Sequence, residues 1–235
     1  MNKYIFDSSA EVAKAFADFY LEHSNDAQPY HVALSGGSTP KILFDLIAKD
    51  YVDKFSWSNI HFWWGDERCV APDDDDSNYK MTKERLLDNI DIPEANIHRI
   101  LGENDPAGEA VRYGQEIEQF LPQTNGLPKF DLIILGMGPD GHTASIFPHE
   151  MELLDAESVC AVATHPESGQ KRVSLTGKVI NNAAQIAFLV TGANKFEKVD
   201  SIFEKKEDHK LYPAAYIRPS NGELSWFLDQ AAIGK

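Results

Sequence analysis

Along the chain, short unbroken apolar runs alternate with stretches whose apolar residues recur every three or four positions. The runs are His31–Leu34, Ile60–Trp64, Phe130–Leu135 and Gln185–Val190. A short apolar run bounded by turn formers reads as a strand buried on both faces, the kind a parallel sheet contains. Tyr4–Phe6 reads as a first edge strand. Ile97–Ile100, Val159–Ala163, Arg172–Thr176 and Glu223–Phe227 are further strand candidates, the last closing the sheet. Helical spacing appears at Val12, Phe16, Phe19 and Tyr20, behind an N-cap at Ser8 or Ser9 and ending near Ser24-Asn25-Asp26, before Pro29. It returns at Ile42, Leu43, Leu46 and Ile47, where Thr39 as N-cap and Pro40 as first helical residue mark the start. Further helices are expected from about Ser77 to Leu87, over Pro106–Leu121, and over Lys195–Phe203 with Asn194 as cap. A short helical segment is expected after Gly141, ending by Phe147-Pro148.

Strands alternating with helices imply βαβ units, hence an α/β fold with a mainly parallel sheet and helices on both faces. No internal repeat and no long linker divides the chain, so residues 1–235 are expected to form one domain. With 43% hydrophobic residues, it can bury a sizeable core. The net charge of -15 disfavours nucleic acid and anionic membrane surfaces as partners, since both reward a basic surface. It leaves room for an anionic small molecule, because a local basic pocket can sit in an acidic protein. The first residues lack the apolar core of a signal peptide, and no run approaches the roughly 18 apolar residues of a membrane span. Cys69 and Cys160 lie far apart and belong to no ligand-spaced cluster. A reduced, cytoplasmic protein is expected, as a monomer or weak homodimer. His23, His31, His61, His98, His149, His165 and His209 show no metal-ligand spacing, so neither metal nor cofactor is expected.

Candidate chemistry collects where the strands end, because ligands of open α/β sheets sit just past the carboxyl ends of the strands. After His31–Leu34 comes Ser35-Gly36-Gly37-Ser38-Thr39-Pro40. Glycines there let the backbone approach a ligand, and the free N–H groups of a helix N-terminus suit a phosphate. The hydroxyls of Ser35, Ser38 and Thr39 add donors. The Gly-Lys-Ser/Thr ending of a nucleoside-triphosphate loop is absent. After Ile60–Trp64 comes Gly65-Asp66-Glu67-Arg68. Arg68 suits an anionic substrate oxygen, and Asp66 suits either a base or the fixing of a neighbour.

After Phe130–Leu135 comes Gly136-Met137-Gly138-Pro139-Asp140-Gly141-His142. It spells G-x-G-x-x-G, but a dinucleotide site needs a long following helix and an acid about 20 residues on. The segment here stops too soon. Its glycines read instead as shaping a loop that presents His142, and a His beside an Asp is a natural general base near neutral pH. Lys171-Arg172 opens a likely strand and Lys195 follows the end of a buried one, either able to close over a phosphate.

Leu34–Pro40, Gly65–Arg68 with Ser77-Asn78-Tyr79, Leu135–Pro148 and Leu224–Asp229 together resemble the 6-phosphogluconolactonase family, in the family's order and across most of the chain. The resemblance implies a modified Rossmann-like fold shared with glucosamine-6-phosphate deaminases. It also implies a phosphosugar lactone as substrate: hydrolysis of 6-phospho-D-glucono-1,5-lactone to 6-phospho-D-gluconate, the second step of the oxidative pentose phosphate pathway. On this resemblance His142 activates water, Arg68 and Arg172 bind substrate, and Lys195 lies near the phosphate. Asp140 would orient the imidazole; Ser35, Gly36, Gly37, Ser38, Thr39 and Asp66 would complete the substrate-binding set. The chain departs from the family pattern at His149, where Gly usually follows Phe-Pro, and in the proline-poor segment His165–Arg172. A deaminase or isomerase would carry Met-Asp-Glu-Tyr in place of Gly65–Arg68 and Asn-Glu-Pro in place of Ser145–Pro148. A non-catalytic sugar-phosphate sensor would need an attached DNA-binding module, and the residues before His31 offer one helix and no basic helix-turn-helix.

Overall fold

The four apolar runs form adjacent strands of a six-stranded, wholly parallel sheet, three inside it and Ile60–Trp64 at one edge. The structure, a computed structural model, describes residues 1–24 and 29–235. In chain order the elements are β1 (Asn2–Phe6), α1 (Ser9–Ser24), β2 (Tyr30–Leu34), α2 (Ser38–Asp50), β3 (Ile60–Trp64), β4 (Asp66–Arg68), α3 (Asn78–Arg85) and α4 (Pro106–Phe120). There follow the short hairpin β5 (Gln123–Thr124) and β6 (Leu127–Pro128), then β7 (Leu132–Leu135), β8 (Cys160–Thr164), β9 (Lys171–Leu175), α5 (Gly177–Ile180), β10 (Gln185–Val190), α6 (Phe196–Glu204) and β11 (Glu223–Asp229). The large sheet has the order β1-β11-β10-β7-β2-β3. β4, β9 and β8 make a separate antiparallel sheet, so the chain is mainly, not wholly, parallel.

Helices cover both faces because successive strand residues point to opposite sides. On β11, Phe227 meets Phe16 and Phe19 of α1, while its neighbour Trp226 meets Phe203 of α6. Burial is complete at the centre: every residue of β2 and β7 is buried. No helix among the described residues is long and apolar enough to cross a membrane.

Several boundaries differ from expectation, each for a local reason. α1 is described to Ser24, and Asn25 and Asp26 lie outside the described residues. α2 starts at Ser38 behind Gly37, not behind Thr39, because the Thr39 hydroxyl is engaged with Thr191 Oγ1 at 2.8 Å. Asn194 sits inside a 3-10 turn and does not cap α6. Ile97 touches β3 at one bridge to Phe62 but no strand continues; the chain turns back where the Gly102 N–H meets the Ile100 carbonyl. Thr143–Phe147 is not helical, because Ala144 adopts the left-handed φ of +47° that a right-handed helix cannot contain. β11 does not close the sheet: β1 pairs outside it as the edge. β8 and β9 each begin one residue away from the expected start.

Three histidines share the core near α4. His31 and His61 are paired residues on β2 and β3. The Trp63 indole N–H donates to His31 Nδ1 at 3.1 Å, which requires that nitrogen to be unprotonated. His61 Nδ1 lies 3.0 Å from His98 Nε2, and His98 Nδ1 lies 2.8 Å from a Glu116 carboxylate oxygen. Burial, then the neighbouring His61 and His98, pushes the His31 pKa down to about 4. A folded-state value below that of the unfolded chain means that stability is complete above about pH 6.5 and is lost as pH falls towards 4. Replacing His31 by Gln keeps an acceptor for Trp63 but removes the titration. In urea unfolding, the native chain is expected to lose about 3 kcal/mol more than His31→Gln between pH 7 and pH 4. Equal losses would show that His31 is not the titrating group.

Candidate functional site

β2 and β7 lie side by side at the centre of the sheet, and the chain leaves them in opposite directions, β2 towards β3 and β7 towards β10. That is a topological switch point, where open α/β sheets place their ligands. A cleft of about 190 Å³ opens there.

The β2–α2 loop forms one wall. Gly36 has no room for a side chain: a Cβ would stand 1.9 Å from Asn78 Oδ1. Gly37 takes φ +109°, a conformation L-residues avoid. The first backbone N–H groups of α2, from Ser38 and Thr39, have no intrahelical acceptor and carry the positive end of the helix dipole. Ser35, Gly36, Gly37, Ser38 and Thr39 all line the cleft.

The β7 loop forms the floor. The Asp140 carboxylate accepts from the His142 backbone N–H at 3.2 Å and from ring Nδ1 at 2.6 Å. In a neutral imidazole, Nδ1–H facing Asp140 makes Nε2 the acceptor nitrogen, and His142 lines the cleft. Burial pushes the Asp140 carboxyl up, but its bonds and charge interaction with His142 outweigh this and hold it below the ordinary range. Asp140 stands behind His142 and does not itself line the cleft. Gly138 is needed because a Cβ there would meet the His142 ring at 2.2 Å. The loop closes through Gly138 N–H to the His142 carbonyl, and through Thr143 Oγ1 to the Gly136 carbonyl at 2.9 Å.

The antiparallel sheet supplies the charged wall. Register pairs Arg68 of β4 with Arg172 of β9, and Asp66 with Ser174. The two guanidinium groups line one cleft, and the Nε of each is buried without a partner. Arg68 Nη1 donates to the Asp76 carbonyl. Burial lowers the Arg172 pKa from its usual value, with the Asp66 charge pulling the other way. Asp66 is buried, accepts from Ser145 Oγ at 2.6 Å, and stands 3.9 Å from Arg172 Nη1. Of the sequence pair Lys171-Arg172, Arg172 faces the cleft, while Lys171 is exposed and donates to Thr164. Lys195 lines the cleft from the turn after β10. Burial pushes its ammonium pKa down, against the pull of the Asp140 charge. His149 stacks on Phe147 and stays outside the cleft.

Sequence reasoning did not assign three residues that hold this arrangement. Glu67 is buried and accepts from the N–H groups of Arg68, Asn78 and Tyr79 and from Ser77 Oγ, between 2.7 and 3.0 Å. Burial pushes its carboxyl above the usual range despite those bonds. The bonds pin β4 to the N-terminus of α3. Asn78 donates to the Asp66 carbonyl at 2.9 Å and packs over Gly36. Ser145 bridges Asp66 and, through its backbone N–H, Ser174. The run Ser77-Asn78-Tyr79 was a usable signal for the first two; Ser145 had none of its own.

A wall of helix N–H groups and hydroxyls, two adjacent arginines, a lysine and an imidazole with a free nitrogen can bind an anionic ligand and move a proton beside it. The profile of the family described as glucosamine-6-phosphate isomerases/6-phosphogluconolactonase matches residues 7–226. The 6-phosphogluconolactonase of Haemophilus influenzae is 45% identical over 234 residues, 99% of each chain. Among solved structures, the crystal structure of devB protein is 49% identical with a TM-score of 0.95, covering 98% of this chain and 97% of that one. The 6-phosphogluconolactonase of Trypanosoma brucei is 28% identical with a TM-score of 0.87, over 98% of this chain and 97% of that one. From its strand-end loops to its full-length relatives, the chain belongs to the glucosamine-6-phosphate isomerase/6-phosphogluconolactonase family.

Proposed function

We propose that the chain hydrolyses 6-phospho-D-glucono-1,5-lactone to 6-phospho-D-gluconate, the second step of the oxidative pentose phosphate pathway. The observation that carries the reading is the His142–Asp140 pair, 2.6 Å apart at ring Nδ1, with the imidazole in the same cleft as Arg68, Arg172, Lys195 and the N-terminus of α2. Near full-length relatives that bear the lactonase name support it.

In this mechanism the N–H groups and hydroxyls of Ser35–Thr39, with Lys195 and Arg172, hold the 6-phosphate. His142 Nε2 takes a proton from water as the water oxygen attacks the lactone carbonyl carbon. Asp140 keeps the imidazole in the required tautomer and stabilises the imidazolium that forms. Arg68, or N–H groups of the loops, stabilises the oxyanion. The tetrahedral intermediate then collapses, the bond to the ring oxygen breaks, and His142 returns its proton to that oxygen. Asp66 fixes Ser145 and faces Arg172 rather than acting as a base, since its Oδ2 is engaged with the Ser145 hydroxyl.

His142→Ala is expected to lower kcat by about 10²–10⁴-fold with little change in KM. Near-normal turnover would exclude His142 as base. Lys195→Ala removes a charge-assisted contact, so KM is expected to rise roughly ten- to a hundredfold with kcat largely kept. The reaction is tested by generating the lactone in situ and measuring its loss above the spontaneous rate, with glucosamine 6-phosphate deamination assayed in parallel. Activity in the second assay alone would replace the lactonase reading by a deaminase one.

A further inference from the structure

A second cavity, of about 330 Å³, opens between the end of α6 and the segment leading into β11, and it shares no residue with the cleft at the switch point. That volume lies at the lower end of the range for small-molecule sites. Its walls include Phe203, Ile217, Leu224 and Trp226. Trp226 stacks on Phe188 with ring centroids 4.0 Å apart and meets Phe203 edge-on at 5.2 Å, which fixes the aromatic wall. Trp226 is itself buried, and its indole Nε1–H has no hydrogen-bond partner.

Two cations complete the cavity. Lys205 and Arg218 both line it, both are exposed, and neither forms an ion pair among the described residues. The chain's net charge is -15, yet both charged side chains that line this cavity are cations. Their complement is an anion carrying an apolar body.

We propose that this cavity binds a small apolar anion. Its hydrocarbon or aromatic body would lie against Trp226, Phe203 and Leu224, and its carboxylate or sulfonate would lie between Lys205 and Arg218. The general surface would repel such a ligand, so the site rather than bulk charge would hold it.

The probe is 8-anilinonaphthalene-1-sulfonate, with uncharged N-phenyl-1-naphthylamine as control, titrated by fluorescence against the native chain at neutral pH. A single saturable equivalent is expected, bound more weakly as salt rises. The double variant Lys205→Ala/Arg218→Ala changes only exposed side chains and is expected to fold. It should bind the sulfonate about tenfold more weakly while its affinity for the neutral control is unchanged. The Trp226 indole N–H resonance, assigned by its loss in Trp226→Phe, should shift on binding, and added 6-phosphogluconate should leave the shift in place. Lack of saturable binding, undiminished affinity in the double variant, or displacement by 6-phosphogluconate would each overturn the proposal. The last would place the probe in the cleft at the switch point.

Discussion

The constraint on which the rest depends is the brevity of one strand pairing. β2 has five residues and β7 four, yet they pair only at Val32–Leu132 and Ala33–Ile133. Beyond those two rungs the ladder stops, and the strands carry their loops apart. In a parallel sheet each strand end delivers the chain to the same edge. The early parting therefore leaves a gap with Ser35–Thr39 on one side and Gly136–His142 on the other. The core beneath is close-packed on both faces around Val32, Ala33, Leu132 and Ile133, so a slip that closed the gap would have to repack both layers.

The charged wall is held differently, by a buried carboxylate rather than by apolar packing. Glu67 gathers donors from its own strand and from the start of α3. An unpaired carboxylate at such depth would be prohibitive, so the four donors and the helix dipole are what make it tolerable. They tie Asn78 and Arg68 to the antiparallel sheet. The two arginines face each other across adjacent strands in a like-charge pairing that is unfavourable in itself. An arrangement disfavoured without a ligand and relieved by an anion is consistent with the phosphosugar reading.

Much of this was legible in the sequence where the information is local. Continuous apolar runs marked β2, β3, β7 and β10, because burial on both faces erases alternation. The loops were legible too, since glycines, a His and an Asp at strand ends are written in consecutive residues. What failed depended on distant partners. Thr39 has the chemistry of an N-cap, but its hydroxyl finds Thr191, 152 residues away, and the helix begins at Ser38 instead. Asp66–Arg68 looks like a charged loop until β9 arrives to pair with it. Glu67 stood out only as one of three charged residues at a strand end; that three of its four donors come from the start of α3 is a tertiary contact no local pattern spells out. Thr143–Phe147 has helix-compatible residues, and only the backbone turn at Ala144 forbids the helix.

Ala144 carries the backbone strain of the loop that presents His142. It lines the cleft two residues after His142, and its backbone lies where glycine would be more comfortable. Such a conformation in a non-glycine residue costs of order 1–3 kcal/mol and persists only when its surroundings enforce it. A glycine would remove that strain but would also let the unfolded chain, and the loop itself, sample many more shapes. The methyl group thus trades static stability for preorganisation: the loop carrying the imidazole is shaped before any ligand arrives, and binding energy is not drawn off to order it.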